Sequence, residues 1–295
     1  MTSRIRIAAA PISWGVCEVP GWGRVLDAGT VLGEMAELGM TATELGPPGY
    51  LPRDPAVLRE LLSGHRLDLV GGFLAVVLHQ NPEAALAEAG EAAALFAACG
   101  GELLVLAAAT GLDGYDDRPG LSDAEWATLI ETSSEIREIA ARHGLRTVLH
   151  PHAGTHVETE EEVERFLADS ALPLCLDTGH LLIGGTDPVA LAKRYPERIG
   201  HLHLKDVRGE LADEVRAGKL PYAEAVGKGL YVPLGDGDVD IEAMVRFVHE
   251  AGYDGWYVLE QDTALGEHDA ELPKRDVARS LAHLGGIVSR LPAAG

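Results

Sequence analysis

The chain contains few cysteines, few aromatic residues and few basic residues. Three cysteines in 295 residues, without a CxxC or HExxH motif, exclude a disulfide framework and a zinc knuckle. Lysine and arginine number 24 against 46 acidic residues, so the formal net charge of −22 opposes nucleic acid as a partner. This composition favours a globular protein in a reducing compartment, and we expect the cytoplasm.

A long hydrophobic run is also lacking. The most apolar window, residues 92–109, is interrupted by Gly100 and Gly101 and holds Glu102 near its centre. It predicts a helix, a turn and a strand rather than a membrane span. The apolar stretch near the N-terminus is short and ends at Pro11, so we predict no signal peptide and no membrane partner.

The chain alternates strand-like and helix-like segments. Short apolar runs predict eight strands, and between them apolar residues recur at i, i+3, i+4 and i+7, as in amphipathic helices. The predicted strands cover residues 4–10, 42–45, 68–77, 102–108, 146–150, 172–177, 198–206 and 255–261. The predicted helices cover residues 31–39, 56–65, 124–144, 161–169, 188–195, 241–252 and 275–291.

Residues suited to helix ends support this alternation. The predicted N-caps are Ser122, Thr159 and Asp240, and the glycines predicted to follow helices are Gly39, Gly64, Gly144 and Gly252. No linker rich in proline or serine divides the chain. We therefore predict one α/β domain over residues 1–295, a single (β/α)8 TIM barrel, with an open doubly wound sheet as the alternative.

One segment interrupts the alternation. Residues 207–238 follow the seventh predicted strand without a convincing helix, which is far longer than an ordinary βα connection. Since βα connections of a barrel lie at its C-terminal face, where sites are built, we predict an extended loop that serves as a lid.

Polar side chains recur where the predicted strands end. The C-terminal ends of barrel strands converge on one face, so these side chains should form a ring. Imidazoles mixed with carboxylates favour a divalent manganese, cobalt, iron or zinc ion over calcium. The ring consists of Glu44, His150, His152, Asp177, His180, His203, Lys205 and Glu260.

Several of these residues lie in motifs that resemble a known family. A similarity to the xylose isomerase-like TIM barrels, which include sugar isomerases, epimerases and endonuclease IV-like proteins, is carried by LCLDTGHLLIGGTDP, RIGHLHLKDV and GYDGWYVLEQD. Within this superfamily, a similarity to the inosose dehydratases is carried by TELGPPGYLP (43–52), HPHAGTHVETEEEVERFL (150–167) and VPLGDGDVD (232–240). Those enzymes of myo-inositol catabolism remove water from 2-keto-myo-inositol.

The resemblance implies one divalent metal held by residues of strands five to eight. It assigns Asp177, His203 and Glu260 to the metal shell. The superfamily's fifth-strand glutamate is absent, and His150 occupies its place, with His152 as the reserve ligand. Manganese or cobalt is the expected ion, with magnesium, iron and zinc as alternatives.

The missing glutamate also bears on the reaction. The resemblance implies that epimerases use two glutamates, whereas a dehydratase needs a base for the α-proton and an acid for the leaving hydroxyl. We predict a metal-dependent hydro-lyase that acts on a keto-cyclitol, such as 2-keto-myo-inositol, through a metal-stabilised enolate. Glu260, Glu44 and His152 are the candidate bases, and a histidine or the Lys205 ammonium is expected to stabilise the enolate or to assist the leaving hydroxide.

Two alternatives use the same barrel: a keto-sugar isomerase or epimerase, and a β-eliminating lyase for 3-keto-glycosides. The net charge opposes an endonuclease, and the complete ring opposes a barrel without turnover. The expected partner is a small polyol or keto-sugar, and a homo-oligomer is compatible with the sequence. Contacts to the substrate are predicted for His180, Trp14, Trp22, Tyr50 and Tyr231.

Overall fold

The computed structural model of the protein describes residues 5–17, 19 and 21–292. All eight predicted strands are present, the third in two parts, and Arg4, where the first was predicted to begin, lies outside the described residues. The strands are β1 Arg6–Ala9, β2 Ala42–Thr43, β3 Asp68–Leu69, β4 Gly71–Val76, β5 Leu103–Ala108, β6 Arg146–Leu149, β7 Leu174–Asp177, β8 Ile199–Leu204, β9 Asp206–Val207, β10 Tyr231–Val232 and β11 Trp256–Leu259.

Parallel pairing runs around a barrel in the order β3-β2-β1-β11-β8-β7-β6-β5-β4. Its two ends, β3 and β4, are consecutive in the chain and meet at Val70. The Val70 N–H donates to the Thr43 carbonyl at 2.9 Å, and the Val70 carbonyl accepts from the Glu102 N–H at 2.9 Å. Val70 thus hydrogen-bonds to β2 on one side and to the residue before β5 on the other, so the ring of strands is closed. This closure confirms the TIM barrel and excludes the open sheet.

Gly71 explains why the third strand is divided. Its φ is +155°, and a Cβ at this position would lie 1.9 Å from the carbonyl oxygen of Leu103. A side chain would therefore collide with β5, so the change from one ladder to the other requires glycine.

Helices follow the barrel strands, as the periodicity predicted. None of the helices in the described part of the chain is long and apolar enough to cross a membrane, and the cytoplasmic location stays a prediction. The helices are α1 Ala28–Glu37, α2 Pro55–His65, α3 Pro82–Ala98, α4 Asp123–Arg142, α5 Glu160–Asp169, α6 Thr178–Ile183, α7 Pro188–Arg194, α8 Gly209–Arg216, α9 Tyr222–Gly227, α10 Ile241–Glu250 and α11 Leu272–Val288.

The capping predictions are confirmed with one exception. The side chains of the three predicted N-caps accept backbone N–H groups of α4, α5 and α10, and three of the four glycines have a left-handed φ just beyond a helix. Gly64 was predicted wrongly. It lies inside α2, and Arg66 takes the left-handed φ of 59° because the helix continues through His65.

The segment 207–238 is not an irregular loop. It contains α8 and α9, and β10 pairs antiparallel with β9. Helices of 8 and 6 residues are too short to show a clear apolar period, so the sequence concealed them. The buried Asp206 carboxylate fixes the end of the segment by accepting the N–H groups of Val207, Gly235, Gly237 and Val239 at 2.8–3.0 Å.

Strand parity decides which side chains enter the barrel. Val148 and Cys175 pack against Leu103 and Val105 in a small cluster inside the sheet, apart from the large core between sheet and helices. Successive side chains of a strand point to opposite faces. Residues two positions further along, at the C-terminal ends of β6 and β7, therefore also point inward.

Candidate active site

Four strands deliver one inward-facing polar side chain each to the same point. His150 follows β6, Asp177 ends β7, His203 lies in β8 and Glu260 follows β11. One ligand atom from each lies within 4.8 Å of the others, and all four residues are buried. The His203 Nδ1 atom is 3.2 Å from His150 Nε2 and 3.1 Å from Glu260 Oε2, and His150 Nε2 is 3.4 Å from Asp177 Oδ2.

Hydrogen bonds fix both imidazoles with one ring nitrogen directed toward this point. The Nδ1–H group of His150 donates to the Pro151 carbonyl at 2.7 Å, which leaves Nε2 as an acceptor. The Nε2–H group of His203 donates to Glu44 Oε1 at 3.0 Å, so its Nδ1 atom points to the cluster. Glu44 thus lies behind a candidate ligand, in the position of the carboxylates that orient metal-bound histidines. Burial lowers the pKa of His203, but Cys175, Glu260 and Glu44 raise it well above its ordinary value, so a cation bound at Nδ1 would replace a proton there.

Asp177 is oriented by the helix that it begins. Its Oδ1 atom accepts the N–H groups of Gly179 and His180 as the N-cap of α6, at 2.9 and 2.8 Å. Its Oδ2 atom is buried and accepts no hydrogen bond from the described residues. The Lys205 ammonium lies 3.4 Å from this oxygen, and a buried acceptor without a hydrogen bond is suited to a closer cation, a ligand or a water molecule.

The charges of the site favour a cation. Lys205 Nζ lies 2.7 Å from Asp262 Oδ1, 3.0 Å from Glu260 Oε2 and 3.4 Å from Asp177 Oδ2. Burial lowers the pKa of Lys205, but these carboxylates raise it well above its ordinary value, so the ammonium is charged. Glu44 adds a fourth buried carboxylate. The Lys205 ammonium and the His203 imidazolium together leave an excess of negative charge among these four carboxylates, which a divalent cation would offset, so these residues fit a metal site.

His152 stands beside the ligand cluster rather than in it. Its Nδ1–H group donates to the Ala153 carbonyl at 2.7 Å, and its ring centroid lies 3.8 Å from that of His180. Burial, followed by the charges of His150 and Lys205, lowers the pKa of His152 to about 3. The ring is thus a neutral imidazole in the cavity wall and a weaker base than an ordinary histidine, and its imidazolium form would be a strong acid toward a leaving hydroxyl.

A closed circuit of hydrogen bonds supports Lys205 from the side of the 207–238 segment. Lys205 Nζ is 3.1 Å from His180 Nε2, and His180 Nδ1 is 3.4 Å from the Tyr231 hydroxyl. The Tyr231 and Tyr222 hydroxyls are 2.8 Å apart, and Tyr222 donates to Asp262 Oδ2 at 2.9 Å. The segment therefore contributes two tyrosine hydroxyls to the surroundings of the ammonium.

Two members of this circuit were missed in the sequence. Asp262 follows Glu260 by two residues, and this spacing at a strand end was a usable indication that both face the site. Tyr222 lies on α9, and no local pattern indicated that this short helix approaches the barrel mouth.

A cavity of about 850 Å³ opens above the ligand cluster. Its wall includes Glu44, His150, His152, His203, Lys205 and Glu260 from the predicted ring. The structure does not bring His180 to this wall, because its ring is buried behind His152 and Lys205.

The structure places one of the four aromatic residues predicted to contact the substrate in the cavity wall and the other three outside it. Trp14 is fully buried and donates to Glu34 at 2.8 Å, and the Tyr50 hydroxyl donates to the Leu26 carbonyl at 3.0 Å, so neither lines the cavity. Tyr231 lies behind the wall in the hydrogen-bond circuit. Trp22 does line the cavity, together with two rings that the sequence reasoning missed, Phe73 and Tyr115.

Comparison with known proteins identifies the family to which the fold belongs. The family model for xylose isomerase-like TIM barrels matches residues 32–284. An inosose dehydratase of Geobacillus kaustophilus (strain HTA426) is 34% identical over 95% of this chain and 96% of its own length. The rhizopine catabolism protein MocC of Rhizobium meliloti is 34% identical over 88% of this chain and 82% of its own length.

Solved structures show the same fold at low sequence identity. The crystal structure of the IolI protein with a bound zinc atom has a TM-score of 0.72 and 15% identity, covering 98% of this chain and 100% of that one. A probable 3-DHS dehydratase, AsbF from Bacillus anthracis, has a TM-score of 0.66 and 18% identity, covering 94% and 99%. The chain therefore belongs to the xylose isomerase-like TIM barrels and, within them, to the inosose dehydratase family of carbon–oxygen lyases.

Proposed function

We propose that this chain is a metal-dependent dehydratase that removes water from a keto-cyclitol such as 2-keto-myo-inositol, with manganese or cobalt as its cation. The observation that carries the proposal is the convergence of ligand atoms from His150, Asp177, His203 and Glu260 beneath a cavity of about 850 Å³. The relatives named inosose dehydratase support the choice of substrate.

Those four residues would hold the cation. A divalent ion bound there would polarise the substrate ketone and make the adjacent C–H group more acidic. The protein fixes each ligand in advance, since the His150 ring is held by a backbone carbonyl, Asp177 by its N-cap bonds and His203 by Glu44. Such preorganisation avoids reorienting the ligands during the reaction.

His152 is the side chain that we assign to proton transfer. Its Nε2 atom takes the proton from the carbon next to the ketone, and the C–H electron pair begins the new double bond. The same imidazolium then returns the proton to the hydroxyl of the next carbon, whose C–O bond breaks with its electron pair. One water molecule leaves, and His152 ends neutral.

Lys205 stabilises the negative charge that develops on the substrate oxygen. Its ammonium lies in the cavity wall and is held by Asp262, Glu260 and His180 at 2.7, 3.0 and 3.1 Å. A charged donor that is already fixed in a buried site is effective in this role. Glu44 bonds to His201 and His203, so we assign it to ligand orientation rather than to proton abstraction.

Two measurements test the proposed function. Metal analysis of protein purified without chelator should find about one divalent ion per chain, the number that one cluster of four ligands would hold. Incubation of 2-keto-myo-inositol with the protein and Mn²⁺ or Co²⁺ should produce an enolised dione that absorbs in the ultraviolet. A folded protein without metal would overturn the metal site. Deuterium exchange into the substrate without dione formation would indicate an epimerase.

Substitutions connect the activity to the site. His203→Ala and Glu260→Ala should each abolish turnover without unfolding the protein, because each removes a proposed ligand. Glu102→Gln is the matched control, since Glu102 precedes β5 at the opposite end of the barrel and bonds to Arg6. Wild-type rates in both ligand variants would refute the site.

A further inference from the structure

The cavity is larger than a single cyclitol ring needs. It measures about 850 Å³, close to the upper end of the range of roughly 300–1,000 Å³ for pockets that hold drug-sized ligands. Even at the ~30 Å³ that a water molecule takes in the liquid, a ring of about twelve non-hydrogen atoms fills less than half of this volume. The remaining space adjoins the site at which that ring would react.

A row of aromatic rings extends from the metal ligands along the cavity wall. The centroid of Phe73 lies 5.7 Å from His150 and 5.4 Å from His152. The centroid of the Tyr115 ring lies 6.1 Å from that of His152, on which it stacks, and 6.1 Å from that of Trp22 on its other side. Flat apolar faces arranged in this way suit the C–H faces of a further ring.

The outer end of the cavity is apolar as well. Leu112 lines the cavity and is 52% exposed, which makes it one of three large apolar residues of the described chain that are so accessible. An exposed apolar side chain at the mouth of a pocket is a candidate ligand contact.

The charges of the wall decide what kind of substituent fits. Among the described residues that line the cavity, Lys205 is the only lysine or arginine, and its ammonium is already surrounded by carboxylates. Apart from Glu44, Lys205, Glu260 and Asp262, the charged residues that line the cavity are Glu88 and Asp113, both acidic. Such a wall opposes a phosphate or a carboxylate on the substrate and accepts an uncharged group.

We propose that the cavity contains a second subsite, lined by Trp22, Phe73, Tyr115 and Leu112, that binds a neutral glycosyl group carried by the keto-cyclitol. The substrate class is then a glycosylated keto-cyclitol rather than the bare ring. This inference rests on the proposed function for the reacting ring, whereas the subsite itself is a property of the wall and can be tested without turnover.

Binding of two unreactive probes tests the subsite. myo-Inositol and α-galactosyl-myo-inositol carry no ketone, so titration calorimetry of the whole protein measures their binding alone. The galactosyl probe should bind at least about tenfold more tightly, as stacking of one added ring on aromatic faces allows. Equal binding, weaker binding or no binding of the galactosyl probe overturns the subsite. Turnover of 2-keto-myo-inositol tests the proposed function separately, so the two failures are distinguishable.

Substitutions in the proposed lining test which residues bind the second ring. Trp22→Ala should reduce the ratio of the two dissociation constants about tenfold, and Leu112→Ala about threefold, because each removes apolar contact with the second ring. Val57→Ala is the matched control, since Val57 on α2 is 51% exposed and does not line the cavity. Leu112 is exposed, so its variant should fold even where Trp22→Ala does not. An unchanged ratio in Leu112→Ala and in any folded Trp22→Ala refutes the proposed lining.

Discussion

Replacement of His150 and His152, one at a time, tests the proposed metal binding separately from the proposed proton transfer. The two imidazoles are two residues apart, yet hydrogen bonds give them different surroundings. His150 Nε2 faces His203 Nδ1 at 3.2 Å and Asp177 Oδ2 at 3.4 Å, whereas His152 packs on His180 and opens to the cavity. His150→Ala should therefore lose the cation, and His152→Ala should keep it.

The magnitudes follow from these positions. Loss of an outer partner of a metal ligand costs roughly 10–100-fold in affinity, so loss of the ligand in His150→Ala should cost more than about 100-fold, or about 2.8 kcal/mol. Loss of the general base in His152→Ala should lower kcat by about 10²–10⁴-fold. Titration with Co²⁺, followed by visible absorption, measures the affinity, and turnover at saturating Co²⁺ measures kcat.

A third variant controls for damage to the buried site. His150→Glu introduces the glutamate that the superfamily has at this position, and this variant should bind the cation where His150→Ala does not. The reasoning is refuted if His152→Ala loses the cation while His150→Ala retains it, or if His152→Ala keeps wild-type kcat with metal bound.

Three further variants test the surroundings of the site. Glu44→Gln should weaken Co²⁺ binding about 10–100-fold, measured by the same titration, because His203 loses its charged partner. Tyr222→Phe removes the hydroxyl that donates to Asp262 at 2.9 Å, and kcat should fall about tenfold while metal content and KM stay unchanged. Asp206→Asn places an amide opposite backbone N–H donors, so the free energy of unfolding should fall by about 2–5 kcal/mol in urea titrations.

Each of these variants has a matched control. Glu102→Gln, at the other end of the barrel, should leave Co²⁺ binding unchanged. Tyr257→Phe removes a buried hydroxyl that has no partner among the described residues, so kcat should not change. Asp240→Asn keeps a good N-cap and should change stability by less than about 0.5 kcal/mol. Equal effects of variant and control would contradict the assigned contacts.

The sequence indicated which residues gather but left their tasks open. Strand-end spacing identified His150, His152 and Glu44, because alternate residues of a strand share a face. It could not show that Glu44 bonds to His203, since that contact joins residues 159 positions apart. Nor could it show that Trp22, rather than Trp14, reaches the cavity, because Trp14 ends a single turn of 3-10 helix and Trp22 lies in the loop after it, where no apolar period indicates orientation.

The sequence by itself determined the alternation of strands and helices, most of the helix ends and the inward position of the polar strand ends. These properties depend on local periodicity and capping, which neighbouring residues specify. Only the tertiary structure decided how the ring closes at Val70, which histidine faces the ligand cluster, and that Tyr222 and Asp262 support Lys205. Those outcomes depend on contacts between distant segments, whose geometry is fixed when the barrel closes and buried polar groups must find partners.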